Sequence, residues 1–176
     1  MANRSCTPGR RSAAVRMVFF TVLLLFAVVS VRAENNCPWM NEATASDVVG
    51  GEATGAYVVN GGKFSACTFI QQNGNKRRTL EIRVRSSGDP HSDYLVILKA
   101  HCGSASMPLK AIGNEAATCS IRRRRKVTGE LALGRVRDQV FIISLRTSIK
   151  SDPMLTPAML EMKAWTAAEL VAGNLF

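Results

Sequence analysis

Histidine, tryptophan and tyrosine occur only twice each in these 176 residues, and aromatics make up 6% of the chain. Two histidines, His91 and His101, and no CxxC pair leave little from which to build a metal centre, so neither a metal nor a cofactor is expected. No phosphate-binding GxxxxGK[ST] loop and no GxGxxG fingerprint is present. So few aromatics offer little stacking surface for bases, which argues against a nucleic-acid partner. The length is too small for a barrel enzyme or a two-domain α/β enzyme. A hydrophobic content of 47% is too high for a disordered chain.

One apolar run is present, from Met17 to Val31, interrupted only by Thr21 and Ser30. Fifteen residues span about 22 Å as a helix, short of a bilayer core of about 30 Å. Arg4, Arg10, Arg11 and Arg16 precede it, and Val31-Arg32-Ala33 follows with small residues where a signal peptidase reads. Residues 1–33 are therefore expected to be a signal peptide, and the domain to be 34–176, secreted or periplasmic. A membrane would be involved only through an uncleaved signal. Cys37 follows Glu34-Asn35-Asn36, which is not a lipoprotein box. The leader holds five arginines and no acid, so the net charge of +10 falls by half, leaving 18 basic residues to 13 acidic.

Cys6 departs with the leader. Cys37, Cys67, Cys102 and Cys119 remain, an even set that reads as two disulfides with three possible connectivities.

Short segments recur along the exported chain. Val49-Gly50-Gly51-Glu52-Ala53 returns as Ile112-Gly113-Asn114-Glu115-Ala116, and Ile82-Arg83-Val84-Arg85 as Ile143-Ser144-Leu145-Arg146. Asp89-Pro90 returns as Asp152-Pro153, and Cys37 as Cys102. The offsets stay between 61 and 65. Such a period implies two half-domains, repeat one over 37–100 and repeat two over 102–172. If each closes on itself, Cys37 pairs with Cys67 and Cys102 with Cys119. The offset between Cys67 and Cys119 is 52, so the hairpins differ or the two cysteines sit on different strands.

Each repeat is expected to open with a short helix, Glu42–Val49 and Ser106–Ile112, ended by Gly50 and Gly113. Alternation marks strands over 53–59, 67–71 and 80–85, and a nearly continuous apolar strand over 140–145. Residues 92–100 suit a helix or a strand. Thr156 and Pro157 open a long final helix. The fold class expected is α+β: an antiparallel sheet of about six strands with helices packed on it, its halves related by a pseudo-twofold axis.

Glu52 and Glu115 occupy matching positions, as do Arg85 and Arg146. Equivalent carboxylates rarely serve as an acid and base pair, so Glu52–Arg85 and Glu115–Arg146 are expected to be structural ion pairs. His101 beside Cys102 points to the opposite face on a strand, a poor geometry for a nucleophile and its base. Gly103-Ser104-Ala105-Ser106 is not a nucleophile elbow. No catalytic set emerges. The enzymatic alternative is a small hydrolase or isomerase using Asp89, His91 and Asp93. Trp39 and Met40 are pocket candidates, although both tryptophans, Trp39 and Trp165, suit a core.

The basic clusters carry the most functional information. Lys76-Arg77-Arg78 and Arg122-Arg123-Arg124-Arg125-Lys126 fall near two hairpin tips, where an anionic surface or an acidic partner can dock.

The order of Cys37, a short helix, Val49-Gly50-Gly51-Glu52-Ala53, Cys67-Thr68-Phe69, then Ile112-Gly113-Asn114-Glu115-Ala116 with Cys119 resembles small exported bacterial domains of unknown function found as actinobacterial lipoproteins. It is more distantly similar to the extracellular sensor domains of mycobacterial serine/threonine kinases. The resemblance implies an α+β fold, two disulfides and a binding or sensing role without known catalysis. The expected function is a non-enzymatic exported module that recognises an envelope ligand or a partner protein.

Overall fold

A computed structural model describes residues 36–60 and 64–176. The expected leader at 1–33, with Cys6, lies outside the described residues, as do Gly61 and Gly62.

Helix α1 (Glu42–Val49) starts where Asn41 Oδ1 accepts the Thr44 N–H at 2.8 Å. It ends at Gly50, whose φ of 73° permits its N–H to reach the Ser46 carbonyl. Three strands follow: β1 (Thr54–Asn60), β2 (Phe64–Asn73) and β3 (Lys76–Ser86). Helix α2 (Pro90–Cys102) comes next, then a two-residue strand β4 (Met107–Pro108). The chain continues through β5 (Glu115–Arg123), β6 (Lys126–Val136), β7 (Gln139–Thr147) and α3 (Pro157–Asn174). The fold is α+β, with one antiparallel sheet in the order β1-β2-β3-β7-β6-β5-β4.

The sheet has seven strands rather than about six, because β4 stands where a helix was expected over Ser106–Ile112. Pro108 cannot donate within a helix, and Ala111 takes a φ of 62°. Leu109 instead donates its N–H to the Ala116 carbonyl. The ambiguous segment at 92–100 is helical. Asp89 caps it by accepting the Ser92 N–H, and Pro90 fills its first turn.

Alternation divides the sheet into two faces. On the first lie Leu80, Ile82, Phe141, Ile143 and Leu145, covered by α1 and by the Leu160, Ala164, Ala167, Ala168 and Val171 stripe of α3. Gly134 lacks a side chain there because an added Cβ would fall 2.3 Å from the Phe141 ring. On the second face α2 packs Tyr94, with Ile97 and Leu98, against Leu131, Leu133, Val140 and Ile142. Trp39 and Met40 are buried in the first core, Trp39 edge-on to Tyr57. Trp165 is exposed instead, because the alanine stripe of α3 faces the sheet and turns Trp165 outward.

Cys37 is bonded to Cys67, and Cys102 to Cys119. One cross-sheet row runs Cys67, Ile82, Ile143, Ala132, Thr118. Cys119 is one residue beyond that row, so its side chain projects from the other face. Cys67 belongs to the first core and Cys119 to the second. The two bridges therefore tie the chain to opposite faces. Helix α2, which follows β3, also lies on the face opposite to α3, which follows β7.

Candidate functional site: a cationic groove

Alternation decides the fate of the first basic cluster. Arg78 is an even position of β3, on the face covered by α1 and α3, and is 7% exposed. Its Nε and Nη2 donate to Asp152 Oδ2 and Oδ1 at 2.8 and 2.7 Å. Its Nη1 donates to the Gly50 and Val49 carbonyls at the end of α1. Burial raises the pKa of the Asp152 carboxyl, but hydrogen bonds from Arg78, Thr147 and the Met154 N–H, with the Arg78 charge, hold it at about 2. Arg78 is thus a structural cation, a correction to its assignment as an anion-docking residue. Arg77, one residue earlier, points to the opposite face.

Arg77 enters a groove of about 670 Å³ at the end of the sheet, on the α2 face but beyond the helix. Arg123, Arg124, Lys126, Arg146 and Lys150 line it too, and among the described residues no acidic side chain does. Ile121 and Ile149 supply apolar wall. The groove brings the two basic tips together from strands that are not neighbours in sequence. The Arg77 N–H donates to Ser148 Oγ, and the Ser148 N–H donates to the Arg77 carbonyl. This exchange fixes the loop that carries Ile149 and Lys150.

The second tip is shaped by a register shift between Ile121 and Arg122. Ile121 pairs with Gly129 but Arg122 with Val127, so Thr128 is an extra residue on β6. The bulge reverses the alternation of β6 beyond it. Val127 packs against the first core, and Lys126 joins Arg123 on the groove side. Arg122 falls on the other side, and Lys76, Arg122 and Arg125 are exposed cations outside the groove lining. Arg124 and Arg125 form the two-residue turn with φ of 49° and 68°. Both positions favour Asn or Gly.

Arg146 was expected to pair with Glu115, and Arg85 with Glu52. Neither pair forms. Glu115 lies opposite Arg135 in the β5–β6 register, and its Oε1 accepts from Arg135 Nε at 2.7 Å and lies 2.8 Å from His91 Nδ1. Burial acts to raise the Glu115 pKa, but these two partners outweigh it and lower it. Arg146 lies opposite Gly129, at the far end of its strand, with its Nε donated to Ser144 Oγ. Arg85 pairs with Asp93 at 2.8 Å. Glu52 precedes β1 at the Thr79 end of β3, about 20 Å of strand away from Arg85. Matching sequence positions did not identify contacts, because strand register places them at opposite ends of the sheet.

Asp89, His91 and Asp93 are each held by a different structural partner. Asp89 caps α2, His91 meets Glu115, and Asp93 accepts from Ser87 Oγ and pairs with Arg85. Trp39 and Met40 line no part of the groove. Among the described residues no group of three or more His, Cys, Asp or Glu could hold a metal, and no helix is long and apolar enough to cross a membrane. Arg146, Ile149 and Lys150 were missed as groove residues; the only local sign was the return of polar residues after the apolar run of β7. The chain matches no family model, no curated protein and no solved structure.

Proposed function

We propose that the chain is an exported, non-enzymatic binding module whose ligand is an anionic component of the cell envelope or an acidic partner, held in the cationic groove. The observation that carries this is the convergence of six cations and no acid on one concave surface. Like charges repel and contribute nothing to a core, so their assembly favours a counter-charge from outside. The strained Arg124-Arg125 turn supports the same reading, since unfavourable backbone is kept where a side chain is needed. Two disulfides suit an oxidising compartment, which agrees with cleavage after Ala33 and a secreted or periplasmic location. The resemblance to exported lipoprotein-like and sensor domains points to the same class.

We also read the exported chain as two copies of one ancestral half. Ile82 and Ile143, which correspond in the repeat, face each other across the central β3–β7 pair. Strands preserve the relation better than helices, since α2 and α3 take opposite faces.

Retention on a heparin matrix tests the binding function. The wild-type protein is expected to elute at clearly higher salt than R123S/R124S. The control K99S/K110S removes the same charge away from the groove and should elute near wild type. Equal retention of the two variants would assign binding to net charge alone and overturn the groove as the site.

A further inference from the structure

We infer that the ligand of this groove is an extended polyanion, a polymer bearing phosphate or sulfate groups, which leaves the groove and runs along the open face of β3 to Arg83 and Arg85. The inference rests on the groove being the binding site. Odd residues of β3 share the groove's face of the sheet, and they recur about every 6.8 Å. They are Arg77, Thr79, Glu81, Arg83 and Arg85, so the cationic line from Arg77 to Arg85 extends about 27 Å. Arg146 lies directly opposite Thr79 and fills the first gap in that line. Helix α2 packs mainly on β5, β6 and β7 and meets β3 at its first turn, where Asp93 pairs with Arg85; among the described residues no helix packs over this face of the stretch from Arg77 to Arg83.

The far end is prepared to receive charge. The Arg83 and Arg85 guanidinium carbons lie 5.7 and 5.0 Å from the Phe64 ring centroid, which holds both side chains flat against the sheet. Their Nε atoms are buried and make no hydrogen bond among the described residues. Arg83 has only a long ion pair, 3.6 Å to Glu81. A compact anion would engage the groove alone; a chain would also meet the accessible edges of these guanidinium groups, whose side chains are 31% and 29% exposed. Two carboxylates compete along the line: Glu81, 3.6 Å from Arg83, and Asp93 of α2, 2.8 Å from Arg85, which a stronger anion must displace or share.

The experiment compares inorganic pyrophosphate with long-chain polyphosphate by titration calorimetry on wild type, R83Q/R85Q and E81Q. R83Q/R85Q is expected to weaken polyphosphate binding about tenfold, as two exposed charge contacts within their usual range would, and to leave pyrophosphate unchanged. E81Q is expected to tighten polyphosphate alone. If R83Q/R85Q binds polyphosphate as wild type does, the ligand ends within the groove and the extended path is wrong. Binding to phosphatidylglycerol vesicles but not to polyphosphate would also overturn it, in favour of a membrane surface. Failure of wild type to bind either phosphate probe or the vesicles would remove the groove reading itself.

Discussion

Arg78 and Asp152 are 74 residues apart and meet in a buried pair with two hydrogen bonds, between the end of α1 and the loop that leads into α3. The carboxylate also accepts from Thr147 Oγ1 and from the Met154 and Leu155 N–H groups. One junction thus joins β3, β7 and both helices of the first face. Removing one partner leaves the other charge buried, so D152N is expected to cost about 3–5 kcal/mol at neutral pH by urea unfolding.

The same pair sets an acid limit. The folded Asp152 pKa of about 2 lies below its ordinary 3.8, so its contribution is complete above about pH 4 and is lost as pH falls toward 2. The shift is worth about 2 kcal/mol. The stability lost by wild type between pH 4 and pH 2 should exceed that lost by D152N by this amount. Parallel acid limbs would show that Asp152 is not the group responsible.

Glu130 behaves in the opposite sense. Burial raises its pKa, and the Glu161 charge adds to this, against hydrogen bonds from Thr118 and Ser120 and the Arg122 charge. A raised carboxyl pKa costs stability above the folded value and costs nothing below the unfolded one. E130Q should therefore unfold at higher urea than wild type at pH 7, with the difference shrinking as pH falls toward 4. A constant difference across that range would assign the effect to packing.

The turn at Arg124 and Arg125 holds two non-glycine residues at positive φ. Asn-Gly suits that geometry, so R124N/R125G should gain about 1–2 kcal/mol in unfolding free energy while losing retention on heparin. A variant that is no more stable than wild type would show that the arginines adopt the turn without strain.

The bridges close loops with separations of 30 and 17 residues. Chain entropy assigns each about 3–4 kcal/mol, slightly more for the longer loop. C37S/C67S and C102S/C119S should each lower the denaturation midpoint, C37S/C67S by slightly more. No loss in one of them would mean that its bridge constrains nothing in the unfolded chain.

Local signals were legible where a few neighbouring residues suffice. Gly50, and Thr156 with Pro157, bound two of the helices, because capping is settled within one turn, whereas 92–100 read equally as a helix or a strand. Alternation located β1, β2 and β3, an apolar run located β7, and the charge clusters located the tips, while β5 and β6 were given no range. The cysteine pairs were as the repeat predicted, but the partners of charged side chains were not legible. Glu115 found Arg135 rather than Arg146, and Arg78 found Asp152 rather than solvent. Ser106–Ile112 read as a helix until pairing with β5 claimed its backbone.

From the sequence alone follow the four bridging cysteines, the antiparallel α+β character and the two basic tips, since each depends on residue type and short spacing. Which face a side chain takes depends on register and on a single inserted residue at Thr128, and both are fixed by strands distant in the chain. That is why the tertiary structure alone could divide Arg77 from Arg78, add Arg146 and Lys150, and gather six cations into one groove.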